Sequence, residues 1–394
     1  MGTVVLLALV GPGLALAAVM ALAQKRLLRE RPAEHTGPLP PVSILKPMRG
    51  ADPGLAENLE SFFRLDYPEY ELLLGVDDGG DPALAVASAI AARHPDVPCR
   101  LVADRREVSL NPKVNNLANI ARRARHEVLW ISDSNTRVPR GALRDLVARL
   151  ERPGVGLVSS PFRGTGAAGV GGACESLQLN TFVMGGVAAM HRFAGGVCVV
   201  GKSMVVRRST VAEIGGFQFL GRFLAEDQVS GEEVARLGLR VDVATSPVDN
   251  VLGTVSLRAF LARHLRWARI RRRMSPAGYA GELLLNPVFL AACGAVALRT
   301  PASAAIAAVA LAVKAAVNAS AERAAGVKRP LALYPALTLL KDLLVGAAWA
   351  VPFASSTVAW RGRRFHIGHR TALSPETATK VNVPLAPASV EPIG

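Results

Sequence analysis

Leu129-Trp130-Ile131-Ser132-Asp133-Ser134-Asn135 is a short apolar run that stops on a carboxylate. Residues 128–131 are all apolar, which predicts a strand buried on both faces near the centre of a parallel sheet. Such a strand would deliver Asp133 to a loop at its carboxyl end, the edge where open sheets gather their ligands. The neighbouring sequence repeats the pattern. Residues 42–45, 70–76 and 100–102 read as strands, and residues 53–63, 82–93 and 114–124 as the helices between them. The first of these carries Leu55, Leu59, Phe62 and Phe63 on one face behind Pro53. This alternation predicts an α/β fold, a Rossmann-like and mostly parallel sheet covered by helices. Asp77-Asp78 close the 70–76 strand as Asp133 closes its own. Further on, residues 139–150 predict a helix, 155–159 a strand, 174–193 a helix, 196–206 a strand between glycines and 227–237 another helix. The glycine-rich stretch 164–172 predicts a mobile loop or turn.

The ends of the chain differ in kind. Residues 3–23 carry no charge, and at about 1.5 Å per residue they can cross a hydrocarbon core of roughly 30 Å. A cleaved signal peptide has its positive charge ahead of the apolar stretch, whereas Lys25, Arg26, Arg29 and Arg31 follow this one. An uncleaved anchor over 1–24 and a basic linker over 25–40 are therefore expected. Apolar segments return at 283–298, 302–317 and 331–360. The last contains Pro335, Lys341, Asp342 and Pro352, so it is either one span or a re-entrant pair. The net charge of +15 lies beside these segments, in clusters at 25–31, 258–273, 323–329 and 361–370. That is positive-inside patterning with attraction to anionic headgroups, and no aromatic-rich basic motif points to nucleic acid as a partner.

Residues 255–273 interleave Leu257, Phe260, Leu261, Leu265, Trp267 and Ile270 with seven arginines, which predicts an amphipathic helix along the headgroup layer. Four scattered cysteines without CxxC spacing speak against structural zinc or a disulfide framework. After the anchor and linker the chain thus divides into an α/β domain over 41–254, the interfacial helix over 255–280, membrane segments over 281–360 and a cytoplasmic or flexible tail over 361–394. The expectation is an integral membrane protein whose α/β domain faces the cytoplasm, in the inner membrane if the source is bacterial.

Asp77-Asp78, Asp133, Glu226-Asp227 and Arg263-His264-Leu265-Arg266-Trp267 stand in an order that suits sugar transfer from a nucleoside diphosphate. That reaction needs the leaving diphosphate neutralised and the acceptor hydroxyl deprotonated as it attacks. Asp133 is the candidate ligand for a hard divalent cation, Mg²⁺ or Mn²⁺, which takes carboxylate and phosphate oxygens. Asp77 and Asp78 would hold the nucleoside, Asp227 would be the base with Glu226 orienting it, and Lys113 would add positive charge at a helix start. Arg263 and Arg266, three residues apart on one helix face, would reach one anion together, with Trp267 as an aromatic surface. Each group has a plainer alternative. Asp77-Asp78 and Asp133 also suit turns or helix caps, Glu226-Asp227 a solvated helix start, the arginines a basic interfacial face and His264 the surface.

Several motifs are specific when taken together. They are Ser43-Ile44-Leu45-Lys46-Pro47 with Gly50 and Asp52, then Asn58-Leu59-Glu60-Ser61-Phe62-Phe63 leading to Asp66-Tyr67-Pro68. Asn111-Pro112-Lys113-Val114-Asn115-Asn116-Leu117, Trp130-Ile131-Ser132-Asp133-Ser134, Ala225-Glu226-Asp227 and the Arg263–Trp267 group complete the set. On these, over residues 41–287 and the terminal membrane segments, the chain resembles the ceramide glucosyltransferase family, glycosyltransferase family 21, within the inverting family 2 group. The resemblance implies a GT-A fold with N-terminal and C-terminal transmembrane helices. It also implies a D, D, D, (Q/R)xxRW site carried by Asp78, Asp133, Asp227 and Arg263, Arg266, Trp267. On that pattern Asp78 belongs to the nucleotide site, Asp133 to the metal and diphosphate, and Asp227 is the base. The implied donor is UDP-glucose and the implied acceptor the primary hydroxyl of a ceramide-like membrane lipid, with inversion to a β-linkage. Asp77 stands where the family commonly has Gln, which leaves the choice between Asp77 and Asp78 open.

Relatives acting on hopanoid lipids share much of the pattern, so a hopanoid acceptor with UDP-N-acetylglucosamine as donor is the alternative. A processive polysaccharide synthase would require more spans than the sequence supplies. A membrane-anchored sugar- or lipid-binding protein with a degenerate site would require no metal.

Overall fold

The computed structural model describes residues 1–360 and 363–375. Six of the expected strands and one that the sequence did not mark, β9, assemble into one sheet: β1 Val42–Pro47, β2 Tyr70–Val76, β3 Cys99–Ala103, β4 Val128–Ser132, β6 Val155–Ser159, β8 Ser203–Arg207 and β9 Arg240–Val243, in the order β3-β2-β1-β4-β8-β6-β9. Within it β8 alone runs against its neighbours, pairing antiparallel with β4 and β6, so the sheet is mostly parallel as expected. β1, β2 and β4 are buried at every position, which is why they read as continuous runs and not as alternations. Ile44, Leu72 and Trp130 face one apolar layer with Phe62 and Leu143, while Leu45, Leu73 and Ile131 face the other with Leu117 and Met204.

A smaller sheet, β5 Thr136–Arg137, β7 Phe162–Ala168 and β10 Val248–Thr254, was not evident from the sequence. The glycine-rich stretch expected as a loop is instead β7 and the first turn of the helix Gly169–Gln178. Its glycines serve close approach. A Cβ on Gly171 would lie 2.4 Å from the Val255 carbonyl oxygen, and one on Gly164 would lie 3.2 Å from the Ser176 Cα. The strand expected over 196–206 narrows to β8, starting at Ser203.

The first helix, Gly2–Arg29, absorbs the anchor and the start of the expected linker. Gly2 meets Leu298 and Gly13 meets Pro287, so it lies antiparallel to the helix Pro287–Leu298. Leu6 and Val10 share a cluster with Ala310, and Lys25 donates to Ser320 Oγ at 2.5 Å, so it lies parallel to the helix Pro301–Ala324. Among the described residues three helices are long and apolar enough to cross a membrane, Gly2–Arg29, Pro301–Ala324 and Leu333–Ala354. Pro276–Leu285 and Pro287–Leu298 form a further pair bent by 68°.

The 331–360 segment starts where Tyr334 donates to Glu322 Oε2 at 2.9 Å, with Glu322 also bonded to Asn180. It ends where Arg269 of the basic helix donates to the Ser355 carbonyl at 3.3 Å. Tyr334 and Ser355 thus both contact other parts of the chain, and between them Leu333–Ala354 is one of the three span-length helices, whereas the bent pair is Pro276–Leu285 with Pro287–Leu298. Residues expected as tail fold back: β12 Arg363–Ile367 and β13 Leu373–Pro375 form an antiparallel sheet with β11 Thr357–Trp360. The rest of the expected tail, 361–362 and 376–394, lies outside the described residues.

Candidate active site

The carboxyl end of β4 and the amino end of β8 meet because the two strands are antiparallel, with Ser132 opposite Ser203. Asp133 and Lys202 therefore face each other. Lys202 Nζ stands 3.0 Å from Asp133 Oδ2 and also donates to Asn135 Oδ1 at 2.9 Å. Lys113 reaches the other oxygen, Oδ1, at 2.9 Å. Lys113 is aimed by its helix: Asn111 caps Pro112–Ala121, accepting from the Lys113 and Val114 N–H groups, and Pro112 takes the first position, where no N–H is required. A third lysine, Lys46 in β1, is fully buried against the Phe62 ring and donates to the Asp133 carbonyl at 2.8 Å. Burial alone would raise the Asp133 carboxyl, but the Lys113 and Lys202 ammoniums override it and hold the group well below the usual carboxylate range.

Lys113 also joins Asp133 to the Glu226-Asp227 pair. Its ammonium lies 3.0 Å from Glu226 Oε1, and Glu226 Oε2 accepts from Asn111 Nδ2 at 3.3 Å. Asp227 opens the helix Glu226–Arg236 and accepts from the Gly201 N–H at 2.5 Å and the Gln228 N–H at 2.8 Å. Burial and then the neighbouring Glu226 charge push the Asp227 carboxyl up to about 6, against the pull of Lys113 and the two N–H groups. Gly201 leaves room for this arrangement: a Cβ there would lie 2.9 Å from Asp227 Oδ2 and 3.1 Å from Lys113 Nζ. Thr371, from the folded-back C-terminal segment, accepts through Oγ1 from the Ala225 N–H at 3.1 Å, just ahead of the pair.

Asp133, Lys113 and Asp227 are thus brought together as the sequence suggested, joined by Lys46, a motif residue given no role there, and by Lys202 and Gly201, which the sequence did not mark. The other expected residues stand apart from this group. Asp78 follows β2, is exposed, accepts from the Gly80 N–H at 3.0 Å and pairs with Arg105. β1 separates β2 from β4, so Asp77-Asp78 and Asp133 leave the sheet roughly 10 Å apart, two strand spacings. In the helix Leu257–Met274, Arg263 is held by the buried Glu175 at 3.0 Å, and His264 approaches the same carboxylate at 3.3 Å. His264 is therefore buried, not a surface residue, and stacks edge-on to Trp267 at 5.4 Å. Arg266 has no hydrogen bond or ion pair among the described residues, and burial followed by repulsion from Arg263 pulls its guanidinium below the ordinary value. Glu175 lies 88 residues upstream of Arg263 and only its burial in a glycine-started helix singles it out.

A family model described as glycosyl transferase family 21 matches residues 3–373. The chain belongs to that family. Similar proteins include ceramide glucosyltransferase 3 of Caenorhabditis elegans, 29% identical over 259 residues, 66% of this chain and 56% of that protein. Ceramide glucosyltransferase of Komagataella phaffii is 29% identical over 300 residues, 61% of this chain and 59% of that one. The chain thus matches somewhat over half the length of these relatives. A mannosyltransferase of Pyrobaculum calidifontis, solved with GDP-Man and Mn²⁺, aligns with a TM-score of 0.51 at 21% identity, over 89% of this chain and 98% of that one. That likeness carries the fold, and the α/β domain of this family 21 chain is a GT-A domain beside helices long and apolar enough to cross a membrane.

No cluster of three or more His, Cys, Asp or Glu side chains poised for a metal occurs among the described residues. A hard cation such as Mg²⁺ needs fewer protein ligands, since it keeps waters and shares one or two carboxylates with substrate phosphates. The charges of this site suit one. Lys113 and Lys202 already face Asp133, Glu226 and Asp227, so a diphosphate entering here adds negative charge that the lysines alone do not balance.

Proposed function

We propose that this family 21 protein is a membrane-bound inverting glycosyltransferase that moves a hexose, glucose first among them, from a UDP-sugar to the primary hydroxyl of ceramide or a ceramide-like lipid. The observation that supports it best is the placing of Asp227, with its carboxyl at about 6, beside the Lys113–Asp133 pair. A carboxyl near 6 is ionised at neutral pH yet basic enough to share a proton with an attacking hydroxyl. Held by the Gly201 and Gln228 N–H groups, Asp227 takes that proton while the hydroxyl oxygen closes on the anomeric carbon from the face opposite the diphosphate. Lys113 and Lys202 face the departing phosphates, and Arg266, with no hydrogen bond or ion pair among the described residues, is the guanidinium that the (Q/R)xxRW resemblance assigns to the same anion. A divalent cation, Mg²⁺ or Mn²⁺, held by Asp133 would neutralise charge on the leaving diphosphate. Asp77 and Asp78, two strand spacings away, bind the nucleoside, and Trp267 backs the arginines.

A cytoplasm-facing α/β domain is the orientation that the basic clusters at 25–31 and 323–329 favour under the positive-inside rule. A re-entrant course for 331–360 would keep the C-terminal strands on that side, in keeping with the basic cluster at 361–370. The test is transfer of radiolabelled sugar from UDP-glucose and UDP-N-acetylglucosamine by purified protein to ceramide and to a hopanoid alcohol, with mass spectrometry of glycolipids lost on deleting the gene. Glucosylated ceramide-type product is expected, and product confined to the hopanoid would overturn the acceptor.

A further inference from the structure

The helix Pro301–Ala324 carries a lysine that the bundle does not neutralise. Lys314 is 9% exposed, yet it makes no hydrogen bond or ion pair among the described residues. Nearby, Asp342 is 3% exposed and pairs with Lys341 through Oδ1, while its Oδ2 has no partner. The Lys341 ammonium is further occupied by Gln178 Oε1 at 2.9 Å. Lys314, Lys341, Asp342 and Gln178 line a single cavity together with Phe182, Leu283 and Val345. One buried donor and one buried acceptor, both unmet among the described residues, share a cleft with apolar side chains. Leaving such groups unpaired costs free energy, so the cleft is built for something that pairs them.

Its depth suits the polar part of a lipid. Ser320 accepts from Lys25 at the basic end of the first helix, and Lys314 lies six residues earlier, roughly 9 Å deeper at 1.5 Å per residue. The ligand's charge follows from the lining. The Lys341–Asp342 and Arg271–Glu282 pairs cancel, which leaves Lys314, and a phosphate placed on it would be repelled by the free Asp342 oxygen, so a neutral head with a donor beside an acceptor fits better. His264 and Ala268 of the arginine helix also line the cleft, which places its occupant against the element that carries Arg263 and Arg266.

We propose that this cleft binds the amide-alcohol head of a ceramide-type lipid, its oxygen on Lys314 and its N–H or O–H on Asp342 Oδ2. The identity of the lipid rests on the function proposed above; the cleft itself does not. The test uses full-length protein in lipid nanodiscs with two probes, an N-acyl sphingoid base and a matched diacylglycerol, each with a diazirine in one acyl chain. The amide-alcohol probe is expected to label peptides containing Phe182, Leu283 or Val345 in preference to the diacylglycerol. Lys314→Met is expected to cut that labelling and raise the acceptor KM about tenfold, the loss of one charge-assisted hydrogen bond, with UDP binding unchanged and Tm not lowered. Equal labelling by both probes, or labelling indifferent to Lys314→Met, would overturn the cleft. Preferential labelling without any transfer to ceramide would keep the cleft and overturn the acceptor assignment, whereas transfer without labelling would do the reverse.

Discussion

Replacing Asp227 with Asn separates catalysis from stability in a way the geometry makes quantitative. A carboxyl titrating at about 6 instead of its ordinary 3.8 costs about 3 kcal/mol when ionised well above pH 6. Because the folded-state value is the raised one, the cost is absent below about pH 4, grows as pH rises towards 6 and is full above it. Asn removes that cost but offers one acceptor where Asp offers two. Either the Gly201 or the Gln228 N–H then loses its partner, at about 1–2 kcal/mol. The net expectation is a variant about 1 kcal/mol more stable than wild type at pH 7.5, with the margin gone near pH 5. Its rate should fall by roughly 10²–10⁴, the usual contribution of a general base, with UDP affinity held within about twofold. The assay is lipid product formation beside thermal unfolding at both pH values, together with a wild-type kcat/KM profile expected to rise through about pH 6. More than about a tenth of wild-type activity in the variant, or a wild-type profile flat between pH 5 and 7, would refute Asp227 as the base.

The same geometry makes four further expectations. Gly201→Ala places a methyl 2.9 Å from Asp227 Oδ2, so kcat should drop while the UDP-sugar KM and the fold persist; unchanged kcat would mean the Gly201 loop yields freely. Lys202→Met removes one of two cations on Asp133 and should raise the UDP-sugar KM about tenfold, measured against UDP binding by calorimetry. Glu175→Gln leaves Arg263 and His264 without their buried counter-charge and should cost about 2 kcal/mol, read as a lowered Tm; no change in Tm would show that Arg263 is held by solvent instead. Chelation by EDTA should suppress transfer, with recovery on adding Mg²⁺ or Mn²⁺, and persistence in EDTA would leave neutralisation of the diphosphate to the lysines and arginines.

What could be read from the sequence followed from burial. β1, β2 and β4 announce themselves because strands covered on both faces are apolar throughout, and a carboxylate closing such a run is conspicuous. β7 does not, since Phe162–Ala168 holds two glycines whose purpose is contact with Ser176, Leu179 and Val251, and no local pattern encodes that. The C-terminal strands escaped for a related reason. Their short basic stretches look like a solvated tail until Arg370 finds Glu232 and Glu233 and the Thr371 carbonyl accepts from the Leu224 N–H. His264 passed for a surface residue because Glu175 approaches it only through the fold.

Lys202 shows the limit most sharply, and strand direction explains it. In a parallel pair the amino ends of the two strands lie at one edge, so a lysine preceding a parallel strand beside β4 would sit near Glu127, a strand length of roughly 17 Å from Asp133. β8 is the one antiparallel strand of the seven, and Ser203 pairs with Ser132, so the residue before the one strand meets the residue after the other. A reading that infers parallel strands from buried apolar runs can find the carboxylate at the end of β4. It finds Lys113 but has no means of finding this second counter-charge, because the direction of β8 is set by the return of the chain through the helix Gly169–Gln178 and the π-helical turns that follow it, not by any pattern within Ser203–Arg207. The ionised state of Asp133, and with it the capacity of the site to receive a cation or a diphosphate, therefore rests on the motif through Lys113 and on topology through Lys202.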